Sequence, residues 1–154
     1  MKTNHMTERI SMSDRLTTSA LPSNLKPKWR ERFEFFEQYG EPSSPEFKAA
    51  YKNLPTGKRL LIGINWVGFF FGPLYLLVLG MWRRTLTWFA IISASVIVEG
   101  VFAIATGIDI PDAFDVGISC GLAMLVAITT NYSYYLKTMK GDNGWNPFSG
   151  MRWF

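Results

Sequence analysis

The sequence predicts an all-α integral membrane protein, and three observations lead there. Residues 1–59 are polar whereas residues 60–136 are overwhelmingly apolar, although the average over the 154 residues hides this asymmetry. The stretches 60–82, 85–106 and 116–136 are almost free of charge. At about 1.5 Å of helical rise per residue, each of the last two reaches across a hydrocarbon layer of about 30 Å. Upstream of them, aromatic residues recur at helical spacing.

The first 27 residues combine Ser, Thr, Asn and scattered charge without periodicity. They offer too little apolar surface to offset the entropy of ordering, so a disordered polar tail is expected. It contains no apolar run of signal-peptide length, so a cleaved, exported soluble protein is not expected.

Residues 28–57 predict an amphipathic helical hairpin. Trp29, Phe33, Phe36 and Tyr39 fall on one stripe, with Arg30, Arg32, Glu34 and Glu37 on the other side and Gly40 placed to end the helix. Ser44 can cap a second helix, Pro45 suits its first position, and Phe47, Ala50, Tyr51 and Leu54 form its stripe before Pro55. Helices of this length are marginal alone in water, so the aromatic stripes need a surface. Trp29, Phe33, Phe36 and Tyr39 are thus either packing residues or an interaction face.

The membrane domain is expected over residues 58–136, with spans at 85–106 and 113–136. Residues 60–82 are long enough to cross, but Gly72-Pro73 removes a backbone donor and opposes a continuous helix. If this segment is re-entrant, the basic flanks Lys58-Arg59, Arg83-Arg84, Lys137 and Lys140 share one face, and the loop of Asp109, Asp112 and Asp115 stands on the other. The positive-inside bias favours that two-span topology, with both termini cytoplasmic; three spans with a proline kink is the alternative. Trp66, Trp82, Trp88 and Tyr75 suit an interfacial belt. The tail 137–154, rich in Trp and Phe, is expected to lie on the cytoplasmic membrane surface, where Lys137, Lys140 and Arg152 would favour anionic lipid.

Composition narrows the function classes. Sixteen basic residues against twelve acidic leave +4, too modest to announce a nucleic-acid binder. One cysteine, Cys120, excludes an intramolecular disulfide, and one histidine, His5, leaves no material for His-rich metal or Ser-His chemistry. Neither a cofactor nor a metal is expected, and the residues supply no nucleophile-base pair or phosphate-cradling loop, so a non-catalytic protein is the expectation.

Several residues remain as candidates. Glu99 lies well inside a span, where insertion costs about 2.5–3.5 kcal/mol. Ser95 and Ala103 share its face, and Asn131, Thr130 or Ser119 of the next span could come within its reach. Asn65 could repair backbone groups freed at Gly72-Pro73. Gly117 and Gly121, with Ala123 and Ala127 nearby, read as a packing seam, either within the chain or between copies, with Cys120 an inert thiol inside it. The aspartates of the acidic loop read as dipole matching at a helix start.

The string Asn65-Trp66-Val67-Gly68-Phe69-Phe70-Phe71-Gly72-Pro73-Leu74-Tyr75, followed by Gly80-Met81-Trp82-Arg83-Arg84, resembles the N-W-x-x-F-F-F-G-P-x-[WY] signature of a family of small bacterial membrane proteins. That family is known only as a domain of unknown function, and the chain is most similar to its enterobacterial YigF/YigG-like members. Phe33 to Gly40 upstream, and Asn131 to Tyr135 with Trp145 to Phe148 downstream, look like weaker flanking features. The resemblance implies a bacterial inner-membrane location and brings no activity or catalytic residue. It leaves two functional expectations. One is contact with membrane lipid, with another copy of the chain or with another inner-membrane protein. The other is a small oligomeric permeation element lined by Glu99 and Asn131.

Overall fold

The structure, a computed structural model, describes residues 21–108, 110–149 and 151. Residues 1–20 of the expected tail, His5 among them, lie outside the described residues, as do Asp109, Gly150, Arg152, Trp153 and Phe154. Among the described residues there are seven helices and no strand: α1 (Pro27–Tyr39), α2 (Pro45–Lys52), α3 (Thr56–Gly63), α4 (Trp66–Phe71), α5 (Pro73–Val78), α6 (Trp82–Thr106) and α7 (Asp112–Lys140). They divide into two compact units, residues 1–62 and 63–154.

In the first unit, Pro27 opens α1 and Ser44 caps α2 by accepting from the Phe47 N–H at 3.2 Å. The hairpin has an aromatic core. Phe47 stands edge-on to Phe35 at 5.0 Å and stacks on Phe36 at 5.9 Å, and Phe33, Phe36 and Phe47 are buried. Arg32 departs from the sequence expectation: it was placed on the polar side of α1, yet it is buried. Its guanidinium lies 4.6 Å over the Trp29 ring, and its Nε donates to the Leu61 carbonyl of α3 at 2.7 Å. That bond goes to a carbonyl in the last turn of α3, where helix carbonyls call for partners from outside the helix. Ordered structure also begins before Pro27, since Leu21 is buried and the Leu25 N–H turns back to the Pro22 carbonyl.

In the second unit the segment 60–82 is broken more thoroughly than one proline requires. Asn65 caps α4, Gly72 separates α4 from α5, and Gly80 ends α5. At φ 54° and ψ −139°, Gly72 adopts a backbone conformation essentially confined to glycine, and Pro73 then starts α5 with no N–H to leave unpaired. At six residues each, α4 and α5 are far too short to cross a bilayer.

Helix α4 packs along α7, and α5 along α6. The Asn65 N–H donates to the Ala127 carbonyl at 3.0 Å, and Lys137 Nζ donates to the Leu79 carbonyl at 2.6 Å. Both contacts hold the α4–α5 hairpin beside residues 127–137, the C-terminal half of α7. The core there consists of Leu76, Met81, Trp88 and Val126, flanked by Leu79, Ile91, Leu122, Leu125, Tyr134 and Phe148. Trp88 is fully buried in this core, edge-on to Phe148 at 5.3 Å, and so is not part of an interfacial belt; Trp66 and Trp82 are exposed.

Two helices, α6 and α7, are long and apolar enough to span a membrane. Beyond the core their outer halves are largely uncovered: Val96, Ile97, Val98, Val101, Phe102, Ile104, Phe114 and Val116 are all exposed.

Candidate functional site

Two polar constellations organise the second unit, and both lie in its packed half. The first joins α4 to α7. Asn65 Oδ1 accepts from the Gly68 N–H at 3.0 Å, and its Nδ2 donates to Asn131 Oδ1 at 2.9 Å. Both asparagines are buried. Thr130 next door is fully buried, with its hydroxyl turned onto the Val126 carbonyl at 2.6 Å. A methyl group at Gly68 would stand 3.1 Å from that hydroxyl oxygen, so the glycine lets α4 approach α7 closely. Asn65 therefore caps α4 and ties it to α7. Its amide is engaged at Gly68 and Asn131, not at the break at Gly72-Pro73.

The second constellation is centred on Arg84, which is fully buried. Its Nη1 donates to the carbonyls of Ser133 at 3.0 Å and Asp142 at 3.3 Å, its Nε to the Asn146 carbonyl at 3.2 Å, and its Nη2 pairs with the Asp142 carboxylate at 3.3 Å. A guanidinium has five donors in a planar fork and suits such a cluster of oxygens. Removing it from water is costly, and the paired carboxylate with three carbonyls offsets that cost. Arg84 thereby fastens the segment 141–149 to the start of α6 and the end of α7. Thr87 adds a hydroxyl bond to the Trp145 carbonyl at 3.0 Å, and Phe148 lies against Trp88. The aromatic tail is thus folded onto the unit in its first half, where the sequence suggested a flap lying on lipid.

The other sequence candidates scatter. Glu99 is half-buried on one stripe of α6 with Ser95 and Ala103, and it makes no hydrogen bond or ion pair among the described residues. Asn131 is not near it. With Arg84 beside Ser133 and the two helices antiparallel, Glu99 lies roughly 20 Å farther along the axis than Asn131 at about 1.5 Å per residue. The seam residues separate as well: Ala127 is buried and Ala123 half-buried, while Gly117 and Gly121 are exposed with nothing within 4 Å of an added Cβ. Close approach to α7 occurs at Gly68 instead. Cys120 is exposed, not enclosed in a seam.

Of the signature residues, Asn65 and Pro73 are buried, Phe69 and Gly72 are half-buried, and Trp66, Phe70, Phe71 and Trp82 are exposed. Trp29, Phe33 and Phe36 are core residues of the first unit, and Tyr39 is half-buried against Phe35 at 4.7 Å. They do not form an open face. Asp112 and Asp115 occupy the first turn of α7, where the helix dipole favours acids. No group of three or more metal-ligating side chains occurs among the described residues.

Sequence reasoning missed Arg84 and Asp142 as partners. A signal was present: Asp142 is the single acidic residue after Asp115, in a tail otherwise basic and aromatic.

Comparison with known proteins identifies the family. Residues 11–140 match the family described as Protein of unknown function (DUF2628), and the chain belongs to it. It is 39% identical over 127 residues to the uncharacterized protein YigF of Salmonella typhimurium, covering 80% of this chain and 92% of that protein. The uncharacterized protein YigF of Escherichia coli strain K12 is 35% identical over the same length and coverage. No solved structure matches.

Proposed function

We propose that this family member is an integral protein of the bacterial inner membrane that acts by contact with lipid and membrane proteins, not by catalysis. The observation that supports this most is the bare apolar surface of the outer halves of α6 and α7, where Val98 is 67% and Ile104 86% exposed. In water such a surface would be a severe liability; in hydrocarbon it is at rest. On this reading α6 and α7 cross the bilayer and α4–α5 forms a shallow re-entrant hairpin. Arg83, Arg84, Lys137 and Lys140 then sit at the cytoplasmic end, with the loop between the helices outside. A permeation role for Glu99 and Asn131 has less support, because Asn131 is bonded to Asn65 and the two polar groups lie at different depths of one chain.

Reporter fusions after residue 84, at residue 110 and at the C terminus test the arrangement. The first and third are expected to report cytoplasm and the second periplasm. A periplasmic signal after residue 84 would overturn this arrangement. Recovery of the intact chain in the soluble fraction without any amphiphile would overturn the membrane reading itself.

A further inference from the structure

Four basic side chains gather at the packed end of the second unit, and they are used differently. Arg84 is enclosed by Asp142 and the carbonyls around it. Lys137 closes the Leu79 carbonyl, and Lys140 lies 5.9 Å from the Tyr135 ring. Arg83, exposed like Lys140, has a guanidinium with no hydrogen bond or ion pair to it among the described residues. It is nevertheless held in place. Its terminal carbon lies 5.4 Å from the Trp82 ring and 5.8 Å from the Trp145 ring.

The two indoles meet edge to face at 5.6 Å, and both are about half exposed, 45% and 53%. Trp145 is fixed from both sides, by the Thr87 bond to its own carbonyl and by the Arg84 bond to the carbonyl of Asn146. A guanidinium flanked by aromatic rings keeps its N–H edges free for a planar, bidentate acceptor while losing little further freedom on binding. Tryptophans at the end of a membrane-length helix favour the headgroup layer.

We infer that Arg83, Trp82 and Trp145 form a binding site for the phosphodiester of an anionic phospholipid headgroup. The inference rests on the membrane reading above. The phosphate oxygens would take the two parallel N–H groups of Arg83 while the indoles border the glycerol region. A lipid without its own cation fits best, because the nearby carboxylate, Asp142, is already paired with Arg84.

The test is native mass spectrometry of the detergent-extracted full chain, titrated with phosphatidylglycerol, with phosphatidylcholine or with inorganic phosphate. Phosphatidylglycerol is expected to be retained about fivefold over phosphatidylcholine, the share one basic side chain contributes at an anionic surface. Arg83→Gln removes that preference. Arg83→Lys also removes most of it, since an ammonium cannot make the bidentate contact, while Lys140→Gln leaves it. Trp145→Ala weakens it, and Arg83→Gln decides the matter if that variant fails to fold.

Equal lipid retention by wild type and Arg83→Gln overturns the site. So does an equal loss in Lys140→Gln with none in Arg83→Lys, which indicates diffuse charge. Displacement of the lipid by millimolar inorganic phosphate makes it a free-anion site and also overturns the proposal. Wild-type chain that needs amphiphile yet shows no preference defeats the lipid site alone; chain stable without amphiphile defeats the membrane reading beneath it.

Discussion

Replacing Gly72 with alanine tests whether the break in the apolar segment is a property of the backbone. Gly72 sits at φ 54° and ψ −139°, and a Cβ built there meets nothing within 4 Å. There is therefore no steric neighbour to blame, and the whole cost is that of forcing an L-residue into this conformation, about 1–3 kcal/mol. At about 2 kcal/mol the folded-to-unfolded ratio falls roughly 30-fold. Gly117→Ala and Gly121→Ala are the matched controls, since both lie inside α7 with equally open surroundings. Each is expected to be neutral or to stabilise by about 0.5–1 kcal/mol through helix propensity. The assay is equilibrium unfolding in mild detergent followed by far-UV circular dichroism. A Gly72→Ala protein as stable as wild type would refute the backbone argument. A loss in the Gly117 or Gly121 variants that scales with protein concentration would place that glycine pair in an interface between copies.

Two further outcomes follow from the polar constellations. Asn65→Ala removes the acceptor of the Gly68 N–H and the donor to Asn131 Oδ1 together, so it should cost about 1–3 kcal/mol; the Asn65→Ala, Asn131→Ala double variant should cost less than the sum of the singles. Strict additivity in that cycle would mean the two amides do not interact. Asp142→Asn leaves Arg84 buried with carbonyls but no counter-charge, and because Asp142 is half exposed the penalty belongs below the 3–5 kcal/mol of a fully buried pair, at about 1–2 kcal/mol. It should expose residues 141–149 to limited proteolysis, and unchanged cleavage would show that the aromatic contacts hold this segment without the ion pair.

The parts that were legible in the sequence are those governed by local rules. Pro27, Ser44 and Pro45 start their helices as their chemistry requires, Gly72-Pro73 breaks the chain where it must, and the two long apolar stretches are helices α6 and α7. What was not legible depends on which residues meet across the chain. Arg32 and Arg84 look like solvated charges until a carbonyl of Leu61, or a carboxylate 58 residues away at Asp142, is brought to them. Trp88 could be assigned to a membrane interface until Phe148 covers it. Gly117 and Gly121 carry the spacing of a packing seam, yet spacing alone does not say which face of α7 the rest of the chain occupies; the α4–α5 hairpin took the other end of the helix.

That division of α7 has a consequence for where contact with other molecules can occur. In the packed half nearly every buried polar side chain is already bonded inside the unit, with Trp88 Nε1 and Asn143 Oδ1 as exceptions among the described residues. New contacts there must use what projects outward, which at this end includes Arg83 with its two indoles, Lys140, and the exposed apolar side chains of α4 and α5. In the outer half the order is reversed: the surface is apolar and uncovered, and Glu99 is its one ionisable side chain between Arg84 and the Gly107 turn. On the proposed membrane reading, a charged, unpaired carboxylate at such a depth costs about 2.5–3.5 kcal/mol. Among the described residues no side chain bonds to or pairs with Glu99 to offset that cost. The hairpin and the Arg84 cluster close the packed half, and the proposed contact with lipid or membrane proteins would fall on the exposed surface of α6 and α7.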